Sequence, residues 1–407
     1  MAPEFGSMKV AIIGVGGVGR TLAQLLRSEA AIDSLLLIDK EENRVRFFTK
    51  MMGRVKVDAS PFDLNAPTGL PRVLRGSAVV VNTAPPTFNL AVMDACLLAG
   101  AHYIDVAASG PREPAGLPGI LEQLQRHDAF RAKGLRALLS MGLDPGMSNV
   151  MAREAADTLD SIDAIRIRSG GTAQIPGYVS DIFPLYSRET FLSDMLLPPS
   201  AWSDGGLREQ EPLSDSEDFE FPPPVGVQRT FLVSHEEVKT LPRYLGKPVR
   251  RVDFKQAFHP ELIQAVLSLK LLGLLAEDRK ITIGLARVPF RRAFLQALPE
   301  PSALVHPIGG AKALSVEAEG TAGGTRKVER RDIVMDHREA GRRAAITAVI
   351  YLTAAAAAIG TLLIGGATFP GPGVYPPEAL EPGVVLREWV ARNLPIARSS
   401  RSVPTPT

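Results

Sequence analysis

Short apolar runs recur through the first third of the chain, at "KVAIIG", "SLLLID", "AVVVNTAP", "HYIDVA" and "RALLSMG". Between them lie stretches of helical spacing such as "NLAVMDACLLAG", and this alternation predicts βαβ units and a parallel sheet. Past Asn149 the pattern changes. "VMAREAADTL" has helical spacing, "AIRIRSGG" alternates as a two-faced strand, and a long irregular stretch rich in Pro, Ser, Asp and Gly runs from Pro184 to Gly226. Tyr186, Phe191, Trp202 and Phe221 within that stretch want burial, which favours a functional loop over a linker. Strands resume at "RTFLVSH" and "RRVDFKQAF", and "PELIQAVLSLKLLGLL" makes an apolar helix. "ALSVEAEGTAGGTRKVERRDIVMD" alternates on both sides of "TAGG", an antiparallel hairpin signal.

The expected fold class is α/β: a Rossmann-type doubly wound parallel sheet over residues 8–148, followed by an α+β domain over 149–343. Residues 344–396 are expected to return as helix to the first domain, and 397–407 to form a frayed tail. "MAPEFGS", residues 1–7, reads as a cloning remnant ahead of a second start at Met8. Ala344–Ala367 is free of charge and long enough to span a membrane. Its richness in Ala, Gly and Thr favours a buried helix packed through small residues instead.

Composition narrows the function. With 45% hydrophobic and 22% charged residues the chain is an ordinary globular protein, and a net charge of +2 gives no bulk attraction to nucleic acid. The single cysteine, Cys96, allows no intrachain disulfide, so a reduced, cytoplasmic setting is expected. One Cys and six scattered His leave no zinc pattern, and no metal is expected.

The stretch "VAIIGVGGVGRTLAQLL" reads strand, Gly-rich turn, helix. Gly14, Gly16 and Gly19 match the G-x-G-x-x-G spacing: the first turns the chain, the second admits a pyrophosphate, and the third lets helix and strand pack closely. Val15, Gly17 and Val18 complete that loop, whose glycines either bed a dinucleotide or form a purely structural turn. Asp39 closes the second strand where an acid would bind the adenosine ribose, which favours NAD; Lys40 and Arg44 beside it leave NADP possible. At later strand ends, Thr83, Ala84 and Pro85 either flank the nucleotide or break the strand, and Asp105 is a further cofactor candidate.

"GLDPGMSN" (residues 142–149), "HYIDVA", "FPPPVG", "SHEEVKTLP", "LKLLGLL" and "GVYPPEAL" occur in an order that resembles the saccharopine dehydrogenase-like family, from Met8 to about Asn393. That group includes lysine 6-dehydrogenase, saccharopine reductase and carboxynorspermidine dehydrogenase. The resemblance implies an NAD(P)-linked oxidoreductase acting at the C–N bond of an amino acid or amine, by oxidative deamination or imine reduction. It also implies a second domain that holds substrate and builds a homodimer; the small net charge and the make-up of 344–367 lead to no expected nucleic-acid or membrane partner. A homospermidine synthase-like branch, with NAD as a fixed prosthetic group, is the alternative enzyme. A non-catalytic dinucleotide-binding protein is the alternative outside enzymes, supported only by the Pro-rich segment after Val106, "AASGPREPAGLPG".

Such chemistry needs a base near the hydride acceptor and an anchor for substrate. Asp144, in a tight turn at a strand end, either anchors an ammonium or caps its own backbone. His235 and Glu237, two apart on an extended chain, either face one cleft for proton transfer or form an ordinary surface pair. Arg166 and Arg168 suit a carboxylate clamp or a solvated strand face. Tyr178 and Trp202 either wall an alkylamine or pack the core.

Overall fold

The computed structural model describes residues 8–51, 55–108, 119–175, 184–276, 278–299 and 308–404. Strands β1 (Met8–Ile13), β2 (Ile32–Asp39), β3 (Lys56–Pro61), β4 (Val79–Asn82), β5 (His102–Asp105) and β6 (Arg136–Leu138) belong to one wholly parallel sheet. The second sheet is built on β7 (Ser161–Gly171), with β8 (Ser200–Ser203), β9 (Gly206–Glu209), β10 (Glu217–Phe221), β11 (Gly226–Leu232) and β12 (Val249–Ala257). A separate hairpin pairs β13 (Lys280–Ile283) with β14 (Ala286–Pro289). The chain then adds β15 (Ala311–Ala322) and β16 (Thr325–Asp336) to the second sheet, β17 (Gly373–Tyr375) to the first, and β18 (Ala397–Ser402) to the second.

The first sheet runs in the order β17, β6, β5, β4, β1, β2, β3. Order reverses between β1 and β4, which opens a crevice at their C-terminal ends. Val10–Ile13 and Val79–Val81 are buried on both faces, as an inner parallel strand requires. The second sheet runs β10, β11, β12, β7, β15, β16, β18, with β8 and β9 attached to β12. Its hairpin turns at Gly323 and Gly324, whose φ of +56° and +75° suit the twist of a two-residue loop.

One apolar cluster continues from the first sheet into the second, carried by the helices Met147–Asp157 and Ala348–Leu363. The second of these is almost wholly buried, and its small residues permit close approach: a Cβ on Gly360 would lie 2.8 Å from Met141 Cγ. Among the described residues no single helix is long and apolar enough to cross a membrane; His337–Ala344 and Ala348–Leu363 pass only as a pair bent by 57°.

Three expectations change. The return of 344–396 is more than helical, because β17 adds a seventh strand beside β6. The irregular stretch forms the helix Arg188–Leu196 and strands β8 to β10. Of the expected frayed tail, Ala397–Ser402 is ordered as β18, which pairs antiparallel with β16 through backbone hydrogen bonds that need no apolar side chains, and 405–407 lie outside the described residues.

Candidate active site

The glycine loop is built by contact. Gly14 has φ +87°, and a Cβ there would lie 2.7 Å from the Ala84 nitrogen. A Cβ on Gly19 would lie 1.9 Å from the Gly14 oxygen, so helix and loop touch at that point. Gly16 faces open space. It also caps the helix Gly17–Leu26 without a side-chain hydrogen bond, leaving the first-turn amides of Gly17, Val18 and Gly19 without intrahelical acceptors. Donors around a bare backbone at a helix start fit a pyrophosphate.

The neighbours hold this loop in shape. Asp39 Oδ2 accepts the Val15 N–H at 2.7 Å, and Oδ1 accepts the Glu41 N–H at 3.0 Å. Arg44 lies 3.5 Å from the same carboxylate, while Lys40 is exposed beside it. The Thr83 hydroxyl donates to the Gly14 carbonyl at 2.6 Å, and Ala84 N–H donates to Asn82 Oδ1 at 3.1 Å. Thr83 and Ala84 therefore floor the loop, and Pro85 caps the short 3-10 turn that follows. Asp105 is corrected from cofactor contact to brace. It is 1% exposed, and its oxygens accept the Ser140 N–H and the Gln123 amide, each at 2.6 Å. Burial pushes its pKa up to about 7, against those hydrogen bonds.

The second sheet meets the first domain with one face, beyond the ends of β5 and β6, where Asp144 accepts from Ser169 and Lys312. Cross-strand register puts Ser169 and Ile167 of β7 on the same face as Phe254 of β12 and Lys312 of β15. The His235 ring stacks on Phe254, with centroids 3.6 Å apart and planes at 2°. Its Nδ1 meets Glu237 Oε2 at 2.5 Å, and Glu237 Oε1 accepts the Ser148 hydroxyl at 2.6 Å. Burial alone would lower the His235 pKa; the Glu237 carboxylate, helped by Glu236 and Asp144, outweighs it and pushes the ring up to about 9. That raised pKa favours the imidazolium at neutral pH, with Nδ1 turned to Glu237.

Asp144 lies across from this pair, after the strand end it was expected to follow. Its Oδ2 accepts the Ser169 hydroxyl at 2.6 Å and the Lys312 ammonium at 3.0 Å, and Lys312 also donates to Ser169. Glu236 Oε1 accepts the Ala108 N–H at 2.7 Å, which ties the second domain to the end of β5. His235, Glu236 and Glu237 offer ligand atoms within 4.8 Å of one another. The bonds just described engage His235 Nδ1 and both Glu237 oxygens, so these groups form a hydrogen-bonded ionic cluster.

Arg166 and Arg168 are corrected: they face away from Asp144 and His235. Their register partners Asp253 and Lys255 share the outer face of the sheet. Arg168 is 1% exposed and pairs with Glu217 and Asp253, while Arg166 pairs with Glu319 at 2.6 Å. Trp202 lies on the inner face with Val252, packs on the large apolar cluster and spends its indole N–H on the Val249 carbonyl at 3.1 Å. Tyr178 and residues 109–118 of the Pro-rich segment lie outside the described residues.

Several site residues escaped the sequence reading. Lys312 and Ser169 have no local motif, and only strand register brings them to Asp144. Ser148, Asn149 and Glu378 were legible as members of "GLDPGMSN" and "GVYPPEAL", but not by role. Asn149 donates to Glu378 at 2.9 Å and Ser148 to Glu237, so three motifs distant in sequence close on one another. Burial, opposed by hydrogen bonds, pushes the Glu378 pKa up to about 7.

The family models agree with this architecture. Residues 10–138 match the saccharopine dehydrogenase NADP binding domain, and residues 142–392 match the saccharopine dehydrogenase C-terminal domain. The chain belongs to the saccharopine dehydrogenase family. It is 27% identical over 394 residues to a carboxyaminopropylagmatine dehydrogenase of Synechocystis sp., covering 95% of this chain and 96% of that one. It is 25% identical over 404 residues to a carboxynorspermidine synthase of Vibrio cholerae, covering 93% and 94%. Among solved structures it resembles saccharopine dehydrogenase (L-Glu forming) of Saccharomyces cerevisiae, with a TM-score of 0.72, 14% identity, and 98% and 100% coverage. Homospermidine synthase of Legionella pneumophila, in complex with NAD, superposes with a TM-score of 0.69 at 17% identity over 98% and 92% of the chains. This family member is an NAD(P)-dependent oxidoreductase acting at amine C–N bonds.

Proposed function

We propose that the enzyme reduces the imine formed between a cationic amine and an amino acid bearing an aldehyde, and oxidises the resulting secondary amine in reverse. The observation that carries this reading is the His235–Glu237 pair, bonded at 2.5 Å beside the contacts that tie the second domain to the ends of β5 and β6. The relatives' names, which denote amines carrying a carboxylated arm, support the substrate class. The dinucleotide, when bound on the loop, supplies or accepts the hydride. His235 gives a proton to the substrate nitrogen in reduction and takes it back in oxidation. Glu237 holds the ring and stabilises its charge, and Ser148 fixes Glu237 in turn. Asp144, with Lys312 and Ser169, is a polar anchor beside the reacting carbon. Within this reading the enzyme is a cytoplasmic homodimer with no membrane or nucleic-acid partner.

The test follows NADPH and NADH absorbance with agmatine or a diamine, and an aldehyde-bearing amino acid, supplied singly and together. Oxidation only when both are present supports the reading. Reduction of NAD or NADP by lysine or ornithine alone would replace it with simple oxidative deamination. Transfer of an aminoalkyl group with no net absorbance change would replace it with homospermidine synthase-like chemistry.

A further inference from the structure

Most buried carboxylates around the second sheet have a cation at hand. Asp144 has Lys312 at 3.0 Å, Glu237 has His235 at 2.5 Å, and Asp253 has Arg168 and Arg251. Asp194 differs. It sits on the helix Arg188–Leu196, deep below the surface yet with some solvent access, and its Oδ2 accepts the Tyr186 hydroxyl at 2.6 Å. Among the described residues it forms no ion pair. His235, Asp144 and Glu236 are all close enough to act on it electrostatically. Tyr186 is itself fixed by an edge-on contact with Phe191, ring centroids 5.7 Å apart, and Phe191 packs likewise on Phe258.

A buried ionised carboxylate without a counter-ion is costly, so such a group either neutralises or receives a cation. Burial raises the Asp194 pKa to about 6, with the Tyr186 hydroxyl and the more distant His235 charge pulling the other way. Asp194 is thus a half-buried carboxylate, oriented by Tyr186 and within electrostatic reach of the groups assigned to proton transfer.

We propose that Asp194, oriented by Tyr186, binds the non-reacting cationic end of the amine substrate, so that the enzyme selects amines with two positive centres, a diamine or a guanidino-amine, over monoamines. This rests on the reading that an amine is the substrate. Tyr186 is a positioning residue in this scheme: its hydroxyl leaves the second carboxylate oxygen for the ligand. A guanidinium would take a charge-assisted pair there, and a primary ammonium a single strong hydrogen bond.

Calorimetry on the full-length protein with agmatine, 1,3-diaminopropane and propylamine tests this, together with KM and kcat for each amine. The wild type should bind the two dications at least about ten-fold more tightly than propylamine, the scale of one charge-assisted contact. Asp194→Asn, which keeps the Tyr186 bond, should erase that preference by raising KM for the dications while leaving kcat nearly unchanged. Asp194→Glu should retain part of it, and Tyr186→Phe should weaken it without abolishing it. Equal binding of monoamine and dications by the wild type overturns the proposal. So does an Asp194→Asn variant that keeps the preference, or that loses kcat alike for every amine. If calorimetry shows the preference and no amine–aldehyde pair oxidises NADPH or NADH, the proposed reaction fails and the anchor stands.

Discussion

Both faces of the nine-stranded sheet are rich in charge, and they use it differently. On the outer face Arg166, Arg168, Asp253, Lys255, Glu317 and Glu319 neutralise one another across neighbouring strands. On the inner face Lys312 and Ser169 reach one way to Asp144, while His235 lies flat on Phe254 and holds Glu237. Adjacent residues of β7 belong to opposite camps: Arg168 locks the outer lattice and Ser169 joins the site. Paired charges fill the outer lattice; beside the inner face stand the His235 ring and, on the helix Arg188–Leu196, Asp194, which among the described residues forms no ion pair.

The sharpest way to break this comparison is to remove one group from each face. His235→Ala should lower the rate by about 10²- to 10⁴-fold, the range for a positioned proton donor. It should also lower the melting temperature, because it strips buried Glu237 of its cation, so the rate is read where the variant is still folded. Steady-state kinetics beside calorimetric unfolding checks it; a stability loss that accounts for the rate would reverse the assignment. Arg168→Ala should cost stability alone. It leaves buried Asp253 with Arg251 as its remaining cation and Glu217 without this partner. The loss should therefore stay below about 3–5 kcal/mol, the cost of a fully broken buried pair, with KM for both substrates unchanged. A raised KM without destabilisation would restore the discarded clamp. Arg166→Ala sharpens the picture at the small end: its guanidinium is 33% exposed, so breaking the pair with Glu319 should cost about 0–1 kcal/mol in denaturant unfolding.

Much of the first region was legible because its information is local. A strand, three glycines at fixed spacing and a helix occupy one short stretch, in which Gly14 and Gly19 make the close approaches their positions require and Gly16 faces open space. Asp39 was placed correctly at the end of β2, but its bond to the Val15 amide depends on how the loop folds over the strand. The second region was legible only in part. Alternation along "AIRIRSGG" announces two faces without saying which one a distant domain will cover, so the conspicuous arginines drew attention from Ser169. Lys312 reads as one polar position in a hairpin, and only the pairing of β15 with β7 carries it to Asp144. The tail was missed for a different reason. "ARSSRS" has no apolar pattern, and its order comes from the β16 edge together with Arg398 donating to Glu154 at 2.8 Å.

The central claim is that His235, charged by Glu237, hands the proton to the substrate nitrogen. The direct measurement is the pH dependence of kcat for imine reduction in the wild type and in Glu237→Gln. A raised histidine pKa means that the acid form persists below about 9 and is lost above it, so the wild-type rate should be level through neutrality and fall as pH climbs past that value. Glu237→Gln removes the strongest influence raising that pKa, and the fall should move to clearly lower pH. A descending limb that stays in place in the variant would contradict the account.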